Sequence, residues 1–221
     1  MNAQVFLPCI ALLLVSLLAP LTGTMAQGSR AETARSYVSR GNAWFARGEM
    51  DRARSDYDLA IASDPTLAIA WLQRGGLRSR RGEYELAMRD LDRAIRLDPR
   101  MPEAYNNRGM LRQRENDPAG ALRDYEQALS LKPDFVKALA NRGNLLIELG
   151  RYAAAEQDFD RAIRRQGKLA EAWAGRGVAR LMQGRKTDAT SDFKRCLELD
   201  SGLRTRLAAW IAESEVRSRD Q

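Results

Sequence analysis

Proton transfer and metal binding at neutral pH ordinarily rely on histidine, and this sequence has none among its 221 residues. Its two cysteines, Cys9 and Cys196, allow one disulfide at most and no cysteine-based metal site. A GxxxxGK segment followed by Ser or Thr is absent, as are GxSxG and HExxH. These gaps lead us to expect no enzyme, no cofactor and no metal. One pattern of reactive side chains does recur. Arg40 and Asp56, Arg74 and Asp90, Arg108 and Asp124, Arg142 and Asp158, and Arg176 and Asp192 are each sixteen residues apart. On antiparallel helices such partners would face each other as structural ion pairs, serving register and specificity more than net stability.

The elements that would hold them follow from a period of 34 residues. Gly41, Gly75, Gly109, Gly143 and Gly177 keep it, as do Ala53, Ala87, Ala121, Ala155 and Ala189. So do the large residues Tyr57, Leu91, Tyr125, Phe159 and Phe193, and the series Ala60, Ala94, Ala128, Ala162 and Cys196. Cys196 therefore reads as a small buried apolar residue. Pro65, Pro99 and Pro133 share the register, which lapses at Gly167 and Ser201. The period predicts five helix–turn–helix units over 34–67, 68–101, 102–135, 136–169 and 170–203. A Gly inside a helix costs about 1 kcal/mol against Ala, so its return at one slot implies close helix contact. Turns are expected at Gly48, Gly82, Asn116, Gly150 and Gly184, residues that tolerate positive φ where a helix ends. Leu203, Leu207, Trp210 and Ile211 then continue at helical spacing, predicting a capping helix over 203–217 and a tail from 218 to 221.

Residues 34–203 resemble the tetratricopeptide repeat family, with two departures. Arg occupies the slot before each Gly, where the family commonly has Leu. Trp44, Arg78, Arg112, Leu146 and Arg180 stand where the family often has Tyr. The resemblance implies an all-α, right-handed helical-repeat solenoid whose first helices line a concave binding face. Mapped onto that face, the family's contact slots hold the amides Asn42, Gln73, Asn106, Asn107, Gln113, Asn141 and Asn144. An amide both donates and accepts, which suits the backbone of an extended peptide whatever its side chains. The set of Lys, Asn and Arg by which some members grip C-terminal carboxylates is not matched. The implied partner is another protein or peptide, and a homodimer is compatible with such an array.

Charge is uneven. Residues 161–206 carry twelve Lys or Arg against five acids, the chain's whole excess of +7. Arg161, Arg164, Arg165, Lys168, Arg185 and Lys186 would form a basic patch for an anionic partner at the C-terminal end. Nucleic acid is not favoured, since no aromatic residues interleave the charges for base stacking. An Arg-rich RNA-binding repeat protein stays open as an alternative.

Met1 to Ala26 contain no charged side chain, and 9–19 are almost wholly apolar. Thr24 and Ala26 are small residues placed for cleavage before Gln27. We therefore expect a signal peptide over 1–26, a linker over 27–33, and a periplasmic or secreted adaptor. The alternative is an inner-membrane anchor holding a cytoplasmic assembly scaffold. Pro8 and Pro20 leave it short of the ~20 residues a bilayer needs.

Overall fold

The computed structural model describes residues 30–205, 207–209 and 211. The expected signal peptide, Arg206, Trp210 and the end of the expected cap lie outside them. The described residues are all-α, in the helical-repeat class that the period implies. Helix α1 covers 30–46. It is followed by α2 (Met50–Ser63), α3 (Ala68–Arg80), α4 (Tyr84–Leu97), α5 (Pro102–Arg114) and α6 (Pro118–Leu131). Then come α7 (Val136–Glu148), α8 (Tyr152–Arg165), α9 (Ala170–Met182), α10 (Lys186–Leu199) and a 3-10 turn, Ser201–Leu203. The chain forms two compact units, one ending at Leu97 and the other beginning at Asp98. The first contains α1 to α4 and the second α5 to α10.

Two kinds of punctuation make the pairs. Each first helix ends on a residue of positive φ, including Gly150 at 71° and the non-glycine Asn116 at 61°. The chain then bonds back across the end, as when Arg151 N donates to Leu146 O at 2.8 Å. Second helices end differently. Asp64, Asp98 and Asp200 each turn a carboxylate oxygen onto the backbone N–H two residues on, at 2.9 Å. The indoles of Trp71 and Trp173 donate back to the turns before their own helices, to Pro65 O at 3.0 Å and Gly167 O at 2.9 Å.

The glycine slot is a contact, as its recurrence predicts. A Cβ on Gly109 would lie 2.8 Å from the ring of Tyr125, and one on Gly177 2.4 Å from Phe193. Side-chain-free backbone lets the paired helix lay its large residue flat across the first helix, and Tyr57, Tyr125 and Phe159 are fully buried as a result. In the second unit one cluster joins Ala128, Ala138, Leu139, Ala155, Phe159, Ala162 and Ala172 across successive repeats. A second gathers Ala174, buried Cys196, Trp173 and Phe193 beneath Leu203, Leu207 and Ile211.

Candidate functional site

All five Arg–Asp partners meet. Arg40 holds Asp56 at 2.6 Å, and Arg74, Arg108, Arg142 and Arg176 hold Asp90, Asp124, Asp158 and Asp192 at 2.7 Å. Each arginine donates from Nε and one terminal nitrogen to the two carboxylate oxygens, as in Arg142 with Asp158. The planar fork fits that geometry and a lysine would not. The aspartates are buried, Asp90, Asp158 and Asp192 to 2% exposure. Arg78, Arg112 and Arg180 add a second guanidinium to Asp90, Asp124 and Asp192. Those are the slots where the family often has Tyr. In four repeats the arginine also lies over the aromatic residue one turn earlier, for instance Arg74 on Trp71 and Arg176 on Trp173. The chain's arginine departures thus answer one another and a buried carboxylate.

The amide row divides. Asn106 is 2% exposed and lies out of a partner's reach. Its carbonyl accepts from Asn141 Nδ2 at 2.9 Å, tying α5 to α7. Gln113 is committed as well: its nitrogen donates to both oxygens of Glu148 at 2.9 Å, and its oxygen accepts from the Tyr125 hydroxyl at 3.1 Å. Asn42 accepts from the Tyr57 hydroxyl at 2.8 Å. This corrects the reading of seven amides as one binding row. The signal was in the sequence, because a tyrosine buried against the glycine slot needs an acceptor for its hydroxyl. Repeats with Phe159 or Phe193 in that place make no such demand. Burial also pushes the Tyr57 hydroxyl up to about 12, with Asp56 adding to it, and raises Tyr125 well above the ordinary range.

What stays open is compact. Asn107 and Asn144 make no internal hydrogen bond with their amide nitrogens, and the Asn141 carbonyl is unused. Met110, one turn on from Asn107 along α5, is 47% exposed. In the first unit Gln73 is half-buried with an unbonded amide. On α9 the corresponding slots, Ala174, Gly175 and Val178, are buried, so the polar part of this face in the second unit belongs to α5 and α7.

The basic patch does not form as one surface. Arg185 pairs with Glu156, in the first turns of α8, and with Asp188, both at 2.8 Å. Arg161, Arg164, Arg165 and Lys168 sit at the other end of α8. Fourteen helical residues separate those ends by about 20 Å. Arg161 donates to Pro133 O at 2.5 Å, and Arg165 pairs with Asp134. These two arginines fasten the loop before α7, leaving Arg164 and Lys168 exposed at one end and Lys186 at the other.

A tetratricopeptide repeat family model matches residues 26–68, 107–170 and 141–203, and a TPR repeat model matches 78–116. No curated protein sequence matches the chain. Among solved structures, pilF of Pseudomonas aeruginosa is similar at 19% identity, over 86% of this chain and 91% of that one, with a TM-score of 0.69. YrrB, described as a TPR protein with an unusual peptide-binding site, is 21% identical over 84% and 96%, with a TM-score of 0.63. The first TPR of Spaghetti, bound to an HSP90 peptide, is 25% identical over 54% and 95%, with a TM-score of 0.52.

Proposed function

The chain belongs to the tetratricopeptide repeat family of protein-interaction scaffolds, and from that premise we propose that its second unit holds an extended segment of a partner protein along α5 and α7. The observation that carries this reading is the pair of unbonded amide nitrogens at Asn107 and Asn144 with the unused carbonyl of Asn141, and exposed Met110 one turn on from Asn107 along α5. Main-chain groups of an extended segment alternate donors and acceptors, and side-chain amides answer both. Met110 offers a soft apolar contact for one side chain of the segment. Peptide binding by YrrB and by the first TPR of Spaghetti is in keeping with this use of the fold.

Asn107→Ala combined with Asn144→Ala tests it in a pull-down and titration with the endogenous partner. We expect a loss of about 0.5–1.5 kcal/mol for each amide, nearly independent of salt, with the melting temperature unchanged. An unaltered affinity would remove this face from consideration. Asn141 is left intact, because its truncation would strand the buried Asn106 carbonyl.

We also propose export to the cell envelope, supported by the uncharged apolar stretch before Thr24, Met25 and Ala26. N-terminal sequencing of fractionated cells should find a chain starting at Gln27 in the periplasm. An intact Met1 in the membrane fraction would favour the tethered alternative.

A further inference from the structure

Successive repeats of the second unit differ at one junction. Between the fourth and fifth repeats Glu156 is surrounded by donors: Arg180 Nε at 2.8 Å, Arg185 at 2.8 Å and Gln183 Nε2 at 3.0 Å. Burial pushes this carboxyl up, but those bonds outweigh it and hold Glu156 below the usual range. One period earlier the four places read Leu122 for Glu156, Leu146 for Arg180, Leu149 for Gln183, and Arg151 for Arg185. The carboxylate and two of its donors have become leucines, while one arginine remains.

A crevice of about 170 Å³ opens there between α6 and α8, floored by Leu122, Leu146 and Ala154. Arg151 lines it with an exposed side chain and no ion pair. Arg142 lines it too. Both nitrogens of its fork facing Asp158 are used, but its remaining terminal nitrogen has no acceptor. Its counterparts Arg74 and Arg176 spend that nitrogen on Asp58 and Asp160 of the preceding repeat, at 2.7 and 2.6 Å. The matching acid here, Glu126, borders the crevice without bonding to Arg142. Leu149, two residues before Arg151, is 42% exposed.

We propose that this crevice is a second docking site, which takes an aspartate or glutamate side chain flanked by aliphatic residues from a partner protein. The carboxylate pairs with Arg151, as Glu156 pairs with Arg185 one repeat later, and with the spare nitrogen of Arg142, as Asp160 pairs with Arg176. The aliphatic neighbours cover Leu122, Leu146 and Ala154. A side chain suits the site better than a chain end, because at the sister junction the carboxylate arrives on a side chain. A cation is disfavoured by Arg142, Arg151 and Arg161 around one opening, against Glu126 and Asp158. The surface is separate from the amide face on α5 and α7.

The test uses the full chain with labelled methyl groups and three Gly-Leu-Leu-X-Leu-Gly peptides. One has X as Glu with blocked ends, one has Gln with blocked ends, and one has Gln with a free C-terminal carboxylate. The Glu peptide should shift the methyls of Leu122, Leu146 and Ala154 and bind about tenfold more tightly than either Gln peptide, as expected for a charge-assisted bond. Arg151→Gln should weaken it by about the same factor. Glu126→Gln should tighten it severalfold by removing a like charge. Leu122→Glu, which restores the carboxylate that the fourth repeat keeps at Glu156, should abolish binding. Should that variant fail to fold, the exposed Arg151→Gln carries the result alone. Equal affinity for the Glu and blocked Gln peptides overturns the proposal, as does preference for the free C-terminus, shifts confined to the Met110 methyl of the amide face, or no binding at millimolar peptide.

Discussion

An aspartate at 2% exposure tolerates burial only while its charge is met by donors, and here the donors are counted differently from repeat to repeat. Asp90 receives Arg74 and Arg78, whereas Asp158 receives Arg142 alone. Asp90→Asn takes a carboxylate from two guanidinium groups and Asp158→Asn from one. Urea unfolding should report a loss of about 3 kcal/mol for Asp90→Asn, with the loss for Asp158→Asn smaller by about 1 kcal/mol. Equal losses would show that the second arginine is only a surface decoration. The buried tyrosines set a different limit. The folded state holds the Tyr57 hydroxyl near 12, against about 10 in an unfolded chain. The neutral phenol is therefore favoured by folding. Its contribution is complete below pH 10 and is lost as pH rises from about 10 through about 12. Thermal melts across that window should fall steeply, and Tyr57→Phe should flatten part of the fall.

At the scale of the helix pair, the decisive contact is a ring laid on bare backbone. Gly109 has Tyr125 Cε1 within 2.8 Å of where a Cβ would stand. Gly109→Leu must push α5 and α6 apart or drive the Tyr125 ring from its pocket, costing about 3 kcal/mol or more by overpacking. Moving the ring also breaks its hydroxyl's bond to Gln113, which in turn orients Glu148 of α7. Hydrogen exchange should accordingly quicken in α5, α6 and the end of α7. An unchanged melting temperature would mean that the glycine slot is no contact.

At the scale of the whole molecule, each described repeat answers chiefly to its neighbours within its own unit. Within the second unit α5 packs on α6, α6 on α7, α7 on α8, and so on to α10, with α5 also meeting α7 and α7 meeting α9. Stability in such an array is close to a sum of repeats and adjoining interfaces. Asp124 and Asp192 lie two repeats apart and share no partner. Asp124→Asn and Asp192→Asn should then add to within about 0.5 kcal/mol in the double variant. A coupling above about 1 kcal/mol would show that the second unit melts with long-range cooperativity instead.

The period of 34 was enough to place helices, turns and the close-contact glycines, because each follows from local backbone demands and from side-chain volume at a fixed slot. It also paired the arginines with the aspartates, since sixteen residues span one helix, a turn and a return along antiparallel neighbours. Tertiary structure alone decided which polar residues remain available. Asn106 and Asn107 are adjacent and identical in type, yet one faces α7 and is buried while the other stays open. Arg165 and Arg185 look alike in the sequence, but they lie at opposite ends of α8, and each finds a carboxylate more than twenty residues away. The crevice beside Arg151 lay in plain sequence as a row of leucines, and became a site only when the fold showed what the next repeat keeps there. Local chemistry sets what a residue can do, and packing sets whether anything inside the protein has already claimed it.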